Sequence, residues 1–255
     1  MKVVLIGAGN VATHLGKAIV GAGHHVLQVY SRTSASANRL ACQLCCEGVS
    51  SFDDLSNEAD LYIVSVKDDA LNAVVREVCR GREKATFVHT AGSMPLSVFE
   101  GCCEHYGVIY PMQTFSKEKP LDFREIPMFV EACDEDTTQQ LETFAKQLSE
   151  RVFRLSTAAR RHLHLSAVFA CNFVNHCYTI ASELLKEQGI PFEVMLPLID
   201  ETTRKVHILS PQEAQTGPAV RWDENVIQKH LALLADHPLY ADIYKMMSQS
   251  IHGQG

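Results

Sequence analysis

The stretch from Met1 to Thr33 constrains this chain more than any other. Val3-Val4-Leu5-Ile6 is a β-branched apolar run, suited to a strand buried on both faces. It runs directly into Gly7-Ala8-Gly9-Asn10-Val11-Ala12, which fits the pattern G-x-G-x-x-G/A. Val11, Leu15, Ala18, Ile19 and Ala22 then recur at helical spacing, and Gly21 and Gly23 close that helix. His25-Val26-Leu27-Gln28-Val29-Tyr30 follows as a second strand. Strand, glycine turn, helix and strand together are the context in which this pattern reads as a dinucleotide site.

The chemistry explains the spacing. Gly7 allows a tight turn, Gly9 lets backbone approach a pyrophosphate, and small Ala12 lets the helix pack close to the strand. Free N–H groups at the helix start, those of Asn10 and Val11 among them, face the anion with the helix dipole behind them. An NAD site usually carries Asp or Glu after the second strand to hold both ribose hydroxyls. Here the chain reads Ser31-Arg32-Thr33, with no acid. Arg32 suits a 2′-phosphate and Ser31 and Thr33 can donate to its oxygens, so the residues point to NADP over NAD.

Composition narrows the partners. A net charge of −7 argues against nucleic acid or an anionic membrane surface. No apolar stretch approaches the roughly 20 residues that span a bilayer, and the apolar start is a strand running into the nucleotide turn, not a signal peptide. Nine cysteines are scattered without a disulfide-like framework. Cys42, Cys45 and Cys46 fall in one expected helix and Cys102-Cys103 in another, which reads as reduced thiols in a cytoplasmic protein with no metal site.

The strand–helix alternation continues. A helix capped by Ser34 holds Ala37, Leu40, Ala41 and Leu44, and Leu61 to Val66 is the next buried strand. Lys67-Asp68-Asp69 then opens a helix with Ala70, Leu71, Val74, Val75 and Val78 inward. Thr86 to His89 and Gly107 to Tyr110 are strands, while Pro127 to Ala132 and Arg151 to Leu155 flank a helix over Glu135 to Leu148. In an open α/β sheet, ligands bind at the C-terminal ends of the strands. The segments Ser65–Asp68, His89–Ser93 and Tyr110–Ser116 are therefore expected to line one cleft around a nicotinamide. Ser65, Val66 and Thr90 are assigned to the cofactor there, and Gln113 and Thr114 to the substrate.

Past Ser156 the pattern changes, dividing a dinucleotide-binding domain over residues 1–156 from an all-helical one over residues 157–255. Thr157 to Gln188 reads as one long helix ended by Gly189, apolar around much of its circumference, as suits a buried central helix or a dimer. Further helices are expected over Phe192–Leu209, Glu224–Leu234 and Pro238–Ser250. On the long helix Arg161, His164, Asn172 and Asn175 fall within about 80° of one another at regular α-helical spacing. Buried polar groups need partners. They either bond to neighbouring helices, or they complete a site in which His164 gives or takes a proton and Asn172 and Asn175 hold a substrate oxygen. The loop Gln215-Thr216-Gly217-Pro218 is either a turn or a cover for that site, in which case Thr216 touches substrate.

Several stretches carry a resemblance to a known family. The Gly7–Ala12 motif, Ser31-Arg32-Thr33, Val66-Lys67-Asp68 and an all-helical second domain resemble the superfamily of 6-phosphogluconate dehydrogenase and pyrroline-5-carboxylate reductase. Tyr110-Pro-Met-Gln-Thr-Phe-Ser116, the run His164 to His176, Glu201-Thr-Thr-Arg204 and Gln215-Thr-Gly-Pro218 look like a bacterial branch of it. That branch pairs a Rossmann-like domain with a C-terminal domain of unknown function. The resemblance covers essentially the whole chain. It implies a Rossmann domain followed by a 6-phosphogluconate-dehydrogenase-like helical domain, a nicotinamide cofactor and a homodimer through the helical domain. One departure matters: hydroxyacid dehydrogenases of the superfamily carry a catalytic lysine four residues before the helix asparagine. Val168 stands at that place here, and no lysine occurs between Lys146 and Lys186. Two functional classes follow. One is an NADP-dependent oxidoreductase acting on a small carbonyl, imine or alcohol; the other is a non-catalytic NADP-binding sensor or interaction protein.

Overall fold

The computed structural model describes residues 1–253. Contacts divide the chain into two compact units, Met1–Cys171 and the part from Asn172 onward. The first reaches beyond Ser156 because the helix that follows inserts a fully buried arginine, Arg160, beneath a loop of the same unit.

The first unit runs β1 (Lys2–Ile6), α1 (Asn10–Gly21), β2 (His25–Tyr30), α2 (Ser34–Leu44), β3 (Glu47–Val49), β4 (Leu61–Val64) and α3 (Asp68–Cys79). It continues through β5 (Thr86–His89), β6 (His105–Pro111), β7 (Met128–Ala132), α4 (Glu135–Leu148), β8 (Val152–Arg154) and α5 (Thr157–Ala167). The strands form one eight-stranded sheet in the order β3-β2-β1-β4-β5-β6-β7-β8. All pairings are parallel except β6 with β7. The sheet is buried on both faces, and the residue alternation shows it. Val3, Leu5, Leu61, Ile63 and Val88 face one core with α1, α2 and α4. Val4, Ile6, Tyr62, Val64 and Phe87 face the other with α3. Successive side chains of a strand point to opposite faces, so continuous apolar runs fill both cores.

Local details differ from the sequence reading. Cys45 takes a left-handed conformation (φ 54°) and ends α2, and the Cys46 amide donates back to the Ala41 carbonyl. Cys45 and Cys46 thus lie past the helix. Cys102 and Cys103 lie in the turn leading to β6, because Gly101 (φ 75°) breaks the chain just after a short 3₁₀ turn at Leu96–Phe99. The nine cysteines are unpaired thiols. The strand Glu47–Val49, absent from the sequence reading, is a three-residue edge too short to show a period.

The second unit contains α6 (Val174–Glu187), α7 (Leu196–Lys205), α8 (Glu224–Leu233) and α9 (Pro238–His252). The segment expected as one regular helix is interrupted: Val168–Phe173 is π-helical. A π turn advances fewer degrees per residue than an α turn. The regular spacing that groups His164 with Asn172 and Asn175 therefore does not carry across it. Neither α6 nor α7 has a buried side chain, contrary to a central buried helix, and Leu196, Leu198 and Val194 stay largely exposed. Inside the unit, Cys177, Ile180, Leu184, Ala219, Ile243 and Met247 enclose an apolar cavity of about 310 Å³. Among the described residues, no helix is long and apolar enough to cross a membrane.

Candidate functional site: a dinucleotide groove and a buried arginine clamp

The strand order places β1 between β2 and β4, so the connections diverge at their C-terminal ends. That divergence opens a crevice. Ile6 pairs with Val64, which brings the next residues, Gly7 and Ser65, side by side. Gly7 has φ 120°, and a Cβ there would fall on the Ser65 carbonyl oxygen, so only glycine permits this approach. A Cβ on Gly9 would meet nothing, which leaves open space over the start of α1. Gly9 is the N-cap and offers no side chain to the first-turn amides, and no acid occupies that turn. Uncapped amides beneath open space fit a pyrophosphate.

The groove measures about 600 Å³ and is lined by Gly7, Gly9, Ser31, Arg32, Thr33, Ser65 and Val66 among others. Sequence reasoning assigned each of those to a cofactor and expected Lys67 in the cleft with Ser65 and Val66, but it missed Ser36, which also lines the groove. Three assigned residues stand apart from the lining. Asn10 donates its side-chain amide to the Phe115 carbonyl at 2.8 Å, tying α1 to the loop after β6. Val11 is a half-buried helix residue. Thr90, at the end of β5, donates to the Ser65 hydroxyl at 3.1 Å and so reaches the groove through Ser65.

Beside β5 lies a denser arrangement. Arg160 on α5 is fully buried, and its Nη1 donates to the carbonyls of Ala91 (3.0 Å), Gly92 (3.1 Å) and Met94 (2.7 Å). Its Nη2 pairs with Glu131 at 3.1 Å. Glu131 in turn accepts from the amide and hydroxyl of Thr157, both at 2.7 Å. The neighbouring Arg161 donates to the Ser93 carbonyl at 2.9 Å. Burial pulls the Arg160 pKa down while Glu131 opposes that shift. A carboxylate and several carbonyls thus compensate the buried charge, while the buried Nε has no partner among the described residues. His89 lies close by, fully buried, accepting from the Ala91 amide at 3.1 Å and facing the Pro95 carbonyl at 3.3 Å. Burial, and then Arg160, push its pKa down to about 3, so it is neutral. The signal for the clamp was an acid, Glu131, inside the apolar run Met128–Ala132; its partner is far off in sequence.

His164, the proposed proton carrier, belongs to the first unit and contacts the Tyr110 hydroxyl through Nδ1 at 3.1 Å. Burial raises the Tyr110 pKa, with Arg160 acting the other way. Gly92 lies under both rings: a Cβ there would come within 2.7 Å of His164 Nδ1 and 2.9 Å of the Tyr110 ring. Asn172 and Asn175 belong to the second unit, where both are exposed. Gln113 and Thr114 are exposed and bond to each other, the Thr114 amide donating to Gln113 Oε1 at 2.8 Å. Thr216 lines the apolar cavity of the second unit. No group of His, Cys, Asp or Glu able to hold a metal occurs among the described residues.

Comparison with known proteins fits this architecture. A Rossmann-like domain family matches residues 1–111, and the family described as a domain of unknown function, DUF2520, matches residues 126–251. A crystal structure from Bacteroides fragilis, of a protein provisionally named an NADP oxidoreductase, is 52% identical, with a TM-score of 0.94 over 99% of this chain and 98% of that one. A Thermotoga maritima protein shares the fold at 18% identity, with a TM-score of 0.78 over 98% of this chain and 99% of that one. So does an imine reductase from Myxococcus stipitatus in complex with NADP+, at 18% identity and a TM-score of 0.72, over 99% and 93% of the two chains. No curated protein is matched.

Proposed function

Because the chain belongs to the family that joins a Rossmann-like domain to DUF2520, we propose that it is an NADP-dependent oxidoreductase acting on a small carbonyl, imine or alcohol. The observation that carries this reading is the lining of the groove: Ser31, Arg32 and Thr33 follow β2 with no carboxylate among them. Bound NADPH supplies hydride to the substrate carbon. The chain's own residues do the rest. Gly7 and Gly9 bring backbone to the pyrophosphate, while Arg32 pairs with the 2′-phosphate and Ser31 and Thr33 donate to it. Thr90 orients the Ser65 hydroxyl in the groove. His164 moves the proton that accompanies hydride, with Nδ1 held by Tyr110 and Nε2 left for the substrate. Gln113 and Thr114, on the loop after β6, are assigned to substrate, and a homodimer through the helical unit covers the exposed faces of α6 and α7. Unpaired thiols suit a reducing cytoplasm.

The test is NADPH consumption, followed by absorbance, across keto acids, aldehydes and cyclic imines, together with cofactor titration by fluorescence. NADPH should bind more tightly than NADH, and Arg32→Ala should abolish the preference. Equal affinities in the unmutated protein, or no turnover of any member of the panel, would reject the reading.

A further inference from the structure

We propose that the backbone amides of Gly92 and Ser93 form a subsite for one uncharged carbonyl oxygen of the substrate, next to His164. The proposal deepens the oxidoreductase reading and rests on it. Its basis is the orientation of the loop after β5. Arg160 and Arg161 hold the carbonyls of four consecutive residues, Ala91 to Met94. Among the described residues no peptide bond is cis, and in a trans peptide the N–H points opposite to the C=O of the same unit. The Gly92 and Ser93 N–H groups, whose peptide carbonyls both face Arg160, therefore point away from that guanidinium together. Neither amide has a partner among the described residues, and Gly92 is buried. Ser93 is half-buried. A buried donor without an acceptor is costly, so the Gly92 amide, with that of Ser93 next to it, marks a place for an oxygen.

Location and charge set the chemistry of that oxygen. A Cβ on Gly92 would come within 2.7 Å of His164 Nδ1, so Gly92 itself adjoins the imidazole that carries the proton. The charges around the loop come in opposed sets. Arg160 is paired with Glu131, while Ser93 gives its hydroxyl to Asp68 and its carbonyl to Arg161. A carboxylate ligand would face the like charge of Asp68, whereas a neutral carbonyl gains the two hydrogen bonds and brings no charge. During reduction the same donors stabilise negative charge growing on that oxygen. The substrate class is then a compound with a ketone, aldehyde or amide oxygen at this point, in preference to a free acid.

The test is an amide NMR titration of the ¹⁵N-labelled protein holding NADP+, with acetamide and acetate as probes at millimolar concentration. Acetamide should move the Gly92 and Ser93 amide protons downfield in a saturable way, and acetate should not. Absence of the shift with acetamide, or a larger shift with acetate, would overturn the subsite. A shift already produced by NADP+ alone would assign the donors to the cofactor carboxamide and overturn it too. The measurement needs no turnover. An inactive protein that shows the shift rejects only the oxidoreductase reading, and an active one without it rejects only the subsite.

Discussion

The Tyr110 hydroxyl and His164 Nδ1 lie 3.1 Å apart over the bare Cα of Gly92. Tyr110 is 9% exposed, so its O–H needs an acceptor, and Nδ1 is the one it meets. Donation by the phenol makes Nδ1 an acceptor and places the imidazole proton on Nε2. The ring is thus oriented by one nitrogen and available at the other. If His164 carries the proton in catalysis, His164→Ala should lower turnover by roughly 10²–10⁴-fold and leave NADPH affinity nearly intact. Steady-state kinetics beside a binding titration check this. A fall in affinity with unchanged turnover would place His164 outside the chemistry.

Gly92 is predicted to tolerate no side chain. In Gly92→Ala the new methyl meets His164 and Tyr110 at van der Waals overlap, and the rings must separate. Overpacking of this kind costs about 1–3 kcal/mol. Denaturant unfolding should register the loss, and turnover should fall with it, since the imidazole loses its orienting partner. Wild-type stability and activity in this variant would refute the packing argument.

Arg160 is predicted to be a major support of the first unit. Arg160→Met leaves Glu131 facing an apolar group and strips the loop carbonyls of their donor. Breaking one side of a buried pair costs about 3–5 kcal/mol. Arg160→Lys keeps the charge but cannot reach the carbonyls and the carboxylate in one fork, so it should recover only part of the loss. A denaturation midpoint for Arg160→Met close to the wild-type value would contradict this.

His89 predicts a specific pH dependence of stability. Its folded pKa, about 3, lies below the ordinary imidazole value of 6.5, so the unfolded chain binds the extra proton first. Stability is therefore full above pH 6.5 and falls as pH drops toward 3, at up to about 1.4 kcal/mol per pH unit for this one group. His24, also lowered by burial and by the nearby N-terminus, adds in the same direction. Unfolding free energies between pH 5 and 7 should have a smaller slope in His89→Gln than in the wild type. Equal slopes would show that His89 is not neutral when folded.

The exposed apolar residues of the second unit predict assembly. Val194, Leu196, Leu198 and Ile208 are between 45% and 83% exposed, an amount of exposed apolar side chain that suits an interface. A homodimer should appear by light scattering at micromolar concentration, and Leu198→Glu should shift it toward monomer. A monomeric mass for the unmutated chain would end this prediction.

The sequence by itself determined the sheet domain, because its determinants are local. Apolar runs of four to six residues fill two cores whatever else happens, and Gly7 and Gly9 declare their turn through spacing alone. Arg32 was legible for the same reason, since its place after β2 follows from counting. The helical part was legible in its helices but not in its phase. The π segment Val168–Phe173 leaves no mark on a pattern of apolar residues, so the regular spacing that grouped His164 with Asn172 and Asn175 does not carry across it. Only tertiary structure decided what Arg160 and Tyr110 do. Arg160 meets carbonyls near residue 92 and a carboxylate at Glu131, and Tyr110 meets His164, partners dozens of residues away. The burial of an arginine is set by what folds over it, and no pattern along its own helix records that.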